Sequence, residues 1–170
     1  MKSFIEQAQF YSHYHESKAT LYTHLIGVPL IVFSMMILLG FVQLIIPNVL
    51  STTLACLGTL VLIAYYLRLN WRLGLCLLPI LALMLWVSSL ISHQGPTRAS
   101  LWTFFFVFVV GWVVQLTGHL VEGKKPAFMD SMTQALVAPL YLAAEVGFML
   151  GRMPELRKQI HPDEIDKSQD

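Results

Sequence analysis

Long stretches without an ionised residue dominate the chain. Residues 19–67, 73–97 and 99–121 contain no Asp, Glu, Lys or Arg. A hydrocarbon core of about 30 Å takes about 20 apolar residues of helix. The gaps therefore predict spans near 25–46, 49–69, 73–92 and 99–121, the first gap being broken at Pro47-Asn48, a turn signal. A fifth apolar segment, 132–150, carries Glu145 and Pro139 and is read as an embedded or re-entrant helix. At the N-terminus, Phe4, Ala8, Tyr11 and His15 share one helical face, and Glu6, Gln9, His13 and Glu16 the other. That pattern predicts an interfacial helix within 1–18. Residues 152–170 read as a polar tail. The expected fold is an all-α, multi-pass membrane bundle forming a single domain over 1–170: four spanning helices, an N-terminal interfacial helix and a fifth embedded helix.

Composition removes the soluble alternatives. Of the 170 residues, 56% are hydrophobic and 12% charged, against about 25% charged in ordinary soluble domains. The mean hydropathy is +0.64. A net charge of +1 leaves no basic footprint for nucleic acid. Two cysteines, Cys56 and Cys76, are too few for a disulfide framework or a thiol-rich metal site. The polar, mixed-charge residues 1–18 and the long apolar run after them do not read as a cleavable signal peptide.

Charge also predicts orientation. With four spans and a cytoplasmic N-terminus, ten of the 11 Lys and Arg residues lie inside and only Arg98 outside, in line with the positive-inside rule. A full crossing by 132–150 would move Arg152, Arg157, Lys158 and Lys167 outside and cut that bias to six against five. Short loops favour a bacterial inner membrane over the endoplasmic reticulum.

The candidate chemistry lies in the histidines, because intramembrane ionisable groups are costly and mark function by default. Trp112, Gln115, His119 and Glu122, spaced three, four and three apart, fall on one side of the fourth span. An imidazole and a carboxylate one turn apart can share a metal, or the carboxylate can orient the imidazole. On spacing alone the bland alternative, an interfacial His beside a snorkelling Glu, stays open. Gly118 and Gly123 flank the pair and allow close approach of another helix. His24 opens the first span one turn after Thr20, and His15 points from the interfacial helix toward the bundle. His13 reads as solvated, His161 as a solvated tail residue unless the tail folds back, and His93 as a loop residue on the far side. Glu145 needs polar company: a metal, a metal-bound histidine, or a pairing with Lys124, Lys125 or Arg152. Several imidazoles, few carboxylates and no available thiols suit Fe, Zn, Cu or Ni. Nucleotide-binding, H-E-x-x-H and G-x-S-x-G motifs are absent, and no dense histidine boxes occur.

Three short blocks in order resemble the Mpo1-like membrane proteins: Tyr14-His15 with His24-Leu25-Ile26-Gly27-Val28-Pro29; Trp112, Gln115, Gly118-His119, Glu122 and Pro126-Ala127; and Ala138-Pro139 with Glu145. The resemblance covers roughly residues 10–150. It implies an Fe(II)- and O2-dependent dioxygenase that shortens 2-hydroxy fatty acids by one carbon. It also implies roles at His15, His24 and His119 and, less directly, at Glu122 and Glu145, whereas His13, His93 and His161 carry nothing over. Thr20 stands where the family pattern has Asn, and His119 and Glu122 are three apart where four is common. On this reading His15, His24, His119 and Glu122 are candidate metal ligands, Glu145 completes the catalytic set, and Lys124 or Lys125 attracts the substrate carboxylate. The expected partners are a long-chain 2-hydroxy fatty acid, O2 and membrane lipids, with a homodimer left open. The competing classes are a Zn-dependent membrane hydrolase, indifferent to O2, and a non-enzymatic membrane scaffold or lipid-binding protein. A transporter fits poorly, because the chain shows no inverted repeat.

Overall fold

A computed structural model describes residues 3–12, 17–47, 50–131 and 133–162. Seven α-helices occur among them: α1 (Phe4–Ser12), α2 (Lys18–Gly40), α3 (Leu54–Leu69), α4 (Trp71–Ser92), α5 (Arg98–Glu122), α6 (Thr133–Met149) and α7 (Pro154–Ile160). Two short antiparallel strands, β1 (Gln43–Ile46) and β2 (Leu50–Thr53), join α2 to α3. A single 3-10 turn, Ala127–Met129, precedes α6.

Caps explain where the long helices begin and end. The Ser17, Thr53, Asn70 and Thr97 side chains accept from backbone N–H groups in the first turns of α2, α3, α4 and α5. Asn70 also closes α3, so α3 and α4 fold back on each other through one residue. Gly123, at φ 71°, ends α5 in the left-handed conformation that glycine accepts without strain. The third and fourth expected spans agree with α4 and α5 to within two residues. The first does not: it starts seven residues earlier, at the Ser17 cap, and stops at Gly40 instead of 46. β-Branched Ile45, Thr52 and Thr53, with Pro47 disfavouring helix at the residue before it, turn the link into a hairpin. The hairpin also moves the start of the second apolar helix from 49 to Leu54.

Three helices, α2, α4 and α5, are long and apolar enough to cross a membrane, with mean hydropathies of 2.0, 2.3 and 1.9. α4 and α5 present Trp71, Leu75, Leu83, Trp86, Trp102, Phe106 and Leu120 outward, a coat that suits lipid rather than water. α3, at 16 residues, and α6, at 17, are shorter.

α2 is the centre of the bundle and packs antiparallel on α5. A Cβ at Gly27 would stand 2.8 Å from the Gly111 carbonyl oxygen and 2.9 Å from the Gln115 amide nitrogen. One at Gly118 would fall on the Thr23 hydroxyl. Small residues thus let the two backbones meet, as membrane helix pairs require. Gly118 fills the role expected of it; Gly123 does not, because nothing lies within 4 Å of its Cβ position and it serves as the cap. Gly27→Ala meets backbone that cannot swing aside. It is expected to destabilise the protein by about 1–3 kcal/mol, read as a fall in the detergent-solubilised unfolding midpoint. The corresponding change at Gly58, whose nearest neighbour is a leucine methyl at 3.9 Å, should leave the midpoint close to wild type.

α1, α6 and α7 pack together at the end of the bundle where α2 begins. The expected apolar face of α1 is buried at Phe4, Ala8 and Tyr11, and Gln7 joins it. Tyr11 stacks at a tilt on Tyr141 of α6, ring centres 4.7 Å apart. Burial pushes the Tyr11 phenol above its ordinary pKa, so the ring is neutral at working pH. The Gln9 side-chain amide donates to the Gln159 carbonyl at 2.7 Å, tying α7 to α1. The Tyr66 hydroxyl donates to the Leu136 carbonyl at 2.9 Å, tying α3 to the start of α6. The tail is therefore not uniformly polar and solvated: α7 folds back and buries Ile160.

Candidate functional site

The site forms where the first turns of α2 meet the last turns of α5. His24 is fully buried and His119 is 4% exposed. Their rings stand edge to face with centres 4.7 Å apart. His24 Nδ1 lies 2.8 Å from the Thr20 carbonyl oxygen. A carbonyl only accepts, so the proton sits on Nδ1 and the lone pair on Nε2. Metal-binding histidines are commonly prepared in this way, with the second ring nitrogen donating to a backbone carbonyl.

Glu122 sits one turn beyond His119 and reaches across to α2. One carboxylate oxygen accepts from the Ser17 backbone N–H at 3.2 Å, and the other accepts from the Thr20 hydroxyl. The Thr20 hydroxyl also lies 3.1 Å from the Gly118 carbonyl. The negative charge therefore rests at the positive end of α2. A connected path runs from Glu122 through Thr20 to the ring of His24. Sequence spacing placed Thr20 one turn from His24 but gave no sign that it would bridge to α5.

The other expected residues divide clearly. His13 and His15 lie outside the described residues. Lys125 is paired with Asp130 at 2.6 Å, and Lys124 follows the α5 cap with its amide 3.3 Å from the His119 carbonyl. His93 caps α4 at the opposite end and is exposed, as expected. Glu145 finds its polar company in His161, whose Nε2 stands 2.7 Å from the carboxylate. The pairing with Lys124, Lys125 or Arg152 considered from the sequence does not form, and His161 is not a solvated tail residue. Gly151, Met153 in the left-handed region and Pro154 reverse the chain between them. Those turn residues are the signal that the sequence carried for this contact.

His161→Ala would leave the largely buried Glu145 without that imidazole. It is expected to cost about 1–3 kcal/mol, and His161→Gln, which retains a donor, should recover part of the loss in thermal unfolding. Equal midpoints for the Ala variant and wild type would remove the pair from the account of stability.

As for a metal, no group of three or more His, Cys, Asp or Glu side chains converges among the described residues. Two imidazoles do converge, one with its tautomer set. That donor set fits a borderline transition metal and lacks the oxygen cage of Mg or Ca.

A family model, 2-hydroxy-palmitic acid dioxygenase Mpo1-like, matches residues 1–150. The chain belongs to the Mpo1-like family. Within it, the 2-hydroxy-palmitic acid dioxygenase MPO1 of Saccharomyces cerevisiae is 34% identical over 162 residues, covering 92% of this chain and 87% of the yeast protein. No solved structure matches the chain. The family match takes in His24, His119, Glu122 and Glu145, whereas His161 lies beyond it.

Proposed function

We propose that this Mpo1-like protein is an Fe(II)-dependent dioxygenase that shortens long-chain 2-hydroxy fatty acids by one carbon. The observation that carries the reading is the buried pairing of His24 with His119 at the close α2–α5 crossing of a family member. The reaction R–CH(OH)–COOH + O2 → R–COOH + CO2 + H2O balances, and all four electrons come from the substrate. It needs no separate reductase, in keeping with a chain that has no nucleotide-binding motif.

His24 and His119 would hold the iron, with His15 as the third imidazole. Bound iron would supply the centre at which O2 and the 2-hydroxy acid meet. The remaining tasks fall to the chain itself. Thr20 holds the proton of His24 on Nδ1, and Glu122 fastens Thr20 to α5. We assign Glu122 to this positioning role, since both its oxygens are already engaged, and Glu145 to support of α6 through His161. Burial of both rings keeps bulk water from the reacting centre. Lys124 lies at the same end of α5, where it can draw an anionic head group toward the site. The cytoplasmic N-terminus and the crossing by α3 that the charge bias favours would put this end of the bundle at the cytoplasmic surface.

The deciding experiment is O2 uptake by anaerobically purified protein in detergent, given Fe(II) and a long-chain 2-hydroxy acid. One equivalent of the one-carbon-shorter acid is expected for each O2 consumed. Bound iron with no uptake would overturn the proposal.

A further inference from the structure

A cavity of about 440 Å³ lies between α2, α4 and α6, within the usual range for small-molecule sites. Its wall is apolar, including Leu25, Val28 and Val32 from α2, Leu77 and Met84 from α4, and Leu142 from α6. One charged side chain, Arg152, lines it, and no ion-pair partner for that guanidinium occurs among the described residues. We propose that this cavity is the acyl-chain site of a long-chain fatty acid. The tail would run from the level of His24 toward Val32 and Met84, and Arg152 would draw the carboxylate to the mouth. The proposal rests on the dioxygenase reading for the choice of a carboxylate ligand.

The geometry fixes the direction. A Cβ on Gly40 would collide with Ser92, so α2 and α4 run in parallel and their ends lie side by side. Val32 and Met84 each stand eight residues before that contact, which places them at one level. They are the deepest lining residues on their helices and form the floor. The mouth is at the other end: Leu25 follows His24 in sequence, and Val28 is one turn beyond it. Val32 lies eight residues past His24, roughly 12 Å of helix. Arg152 sits in the turn before α7, and α7 is tied by Gln159 to α1, next to the start of α2. An apolar cavity lined by one cation, with no ion-pair partner for it among the described residues, and by Leu25, the residue after His24, is complementary to a single-chain anion. A two-chain phospholipid, whose phosphate is held among other lipids, matches this arrangement less well.

Each methylene moved into such a wall should tighten binding about fourfold, until the chain reaches Val32 and Met84. The test uses full-length protein in detergent and hexadecanoic acid bearing a terminal diazirine. This probe lacks the 2-hydroxyl, so it reports binding without turnover. Photolabelling is expected on the peptides around Val32 and Met84. Unlabelled hexadecanoate should compete, while its methyl ester and phosphatidylcholine should compete at least tenfold less well. Arg152→Ala should reduce the preference for acid over ester. Met84→Trp should abolish binding of the longest acids and leave shorter ones bound, which also shows that the variant is folded. Leu83→Trp, on the outward face of α4, should leave the length profile unchanged.

Label scattered over the outer faces of α4 and α5, equal competition by phospholipid, or an unchanged length profile in Met84→Trp would each overturn the proposal. Labelling in the cavity by a protein that consumes no O2 would uphold the site and overturn the dioxygenase reading. Turnover with a length profile indifferent to Met84→Trp would do the reverse.

Discussion

His119→Ala is expected to abolish both iron retention and turnover. The ring is almost wholly buried and stands edge-on to His24, so its loss leaves a single described imidazole at the crossing. No other His, Cys, Asp or Glu among the described residues gathers there in metal-ligating geometry to replace it. Iron content after desalting should fall to that of a metal-free control, and O2 uptake to background. His24→Ala should do the same. His93→Ala, at the exposed end of α4, should keep both iron and activity, and separates a specific loss from a general effect of removing histidines. Retained helical signal and an unchanged elution position would show that the alanine variants are folded. An active, iron-replete His119→Ala protein would sink the site.

What the sequence made legible, and what it did not, follows the range of each interaction. Gaps between charges located α4 and α5 closely, because hydrophobic thickness acts on a whole segment and is insensitive to its neighbours. The same criterion misplaced the first span. Ile45 and Ile46 are as apolar as any membrane residue, and the choice of strand over helix there depends on pairing with Ser51 and Leu50 of β2. His119 and Glu122 were correctly placed on one helix side, since that is set by helical period alone. The destination of the Glu122 carboxylate was not readable, because it is satisfied by Ser17 and Thr20, about a hundred residues away in sequence. His161 was passed over for a related reason: its value comes from the reversal at Gly151–Pro154, and local polarity alone suggested solvent. The bundle interior is also less uniformly apolar than mean hydropathy implies. Buried Thr20, His24, Gln115 and His119 cluster where α2 and α5 cross, and an average over a whole span hides such a cluster.

Breaking the link between Glu122 and Thr20 should weaken iron binding and turnover by roughly 10–100-fold, the range typical of groups that orient a metal-bound histidine. Thr20→Val is the sharpest substitution. It keeps the shape and the backbone carbonyl that holds His24 Nδ1, yet it removes the hydroxyl that donates to Glu122. The Glu122 carboxylate would then retain the Ser17 N–H at 3.2 Å but lose a charge-assisted bond. The first turn of α2 would be free to shift relative to α5, and with it the ring of His24. Thr20→Ser restores the hydroxyl and should restore affinity, whereas Glu122→Ala should match or exceed the loss in Thr20→Val. A role confined to stability would lower the unfolding midpoint of both Thr20 variants in proportion to the packing they lose. A positioning role predicts that iron affinity follows the hydroxyl: weak in Thr20→Val, recovered in Thr20→Ser, even though Ser packs less well than Val. Iron titrations giving equal affinity for the two Thr20 variants would show that Glu122 holds the helices together without acting on His24.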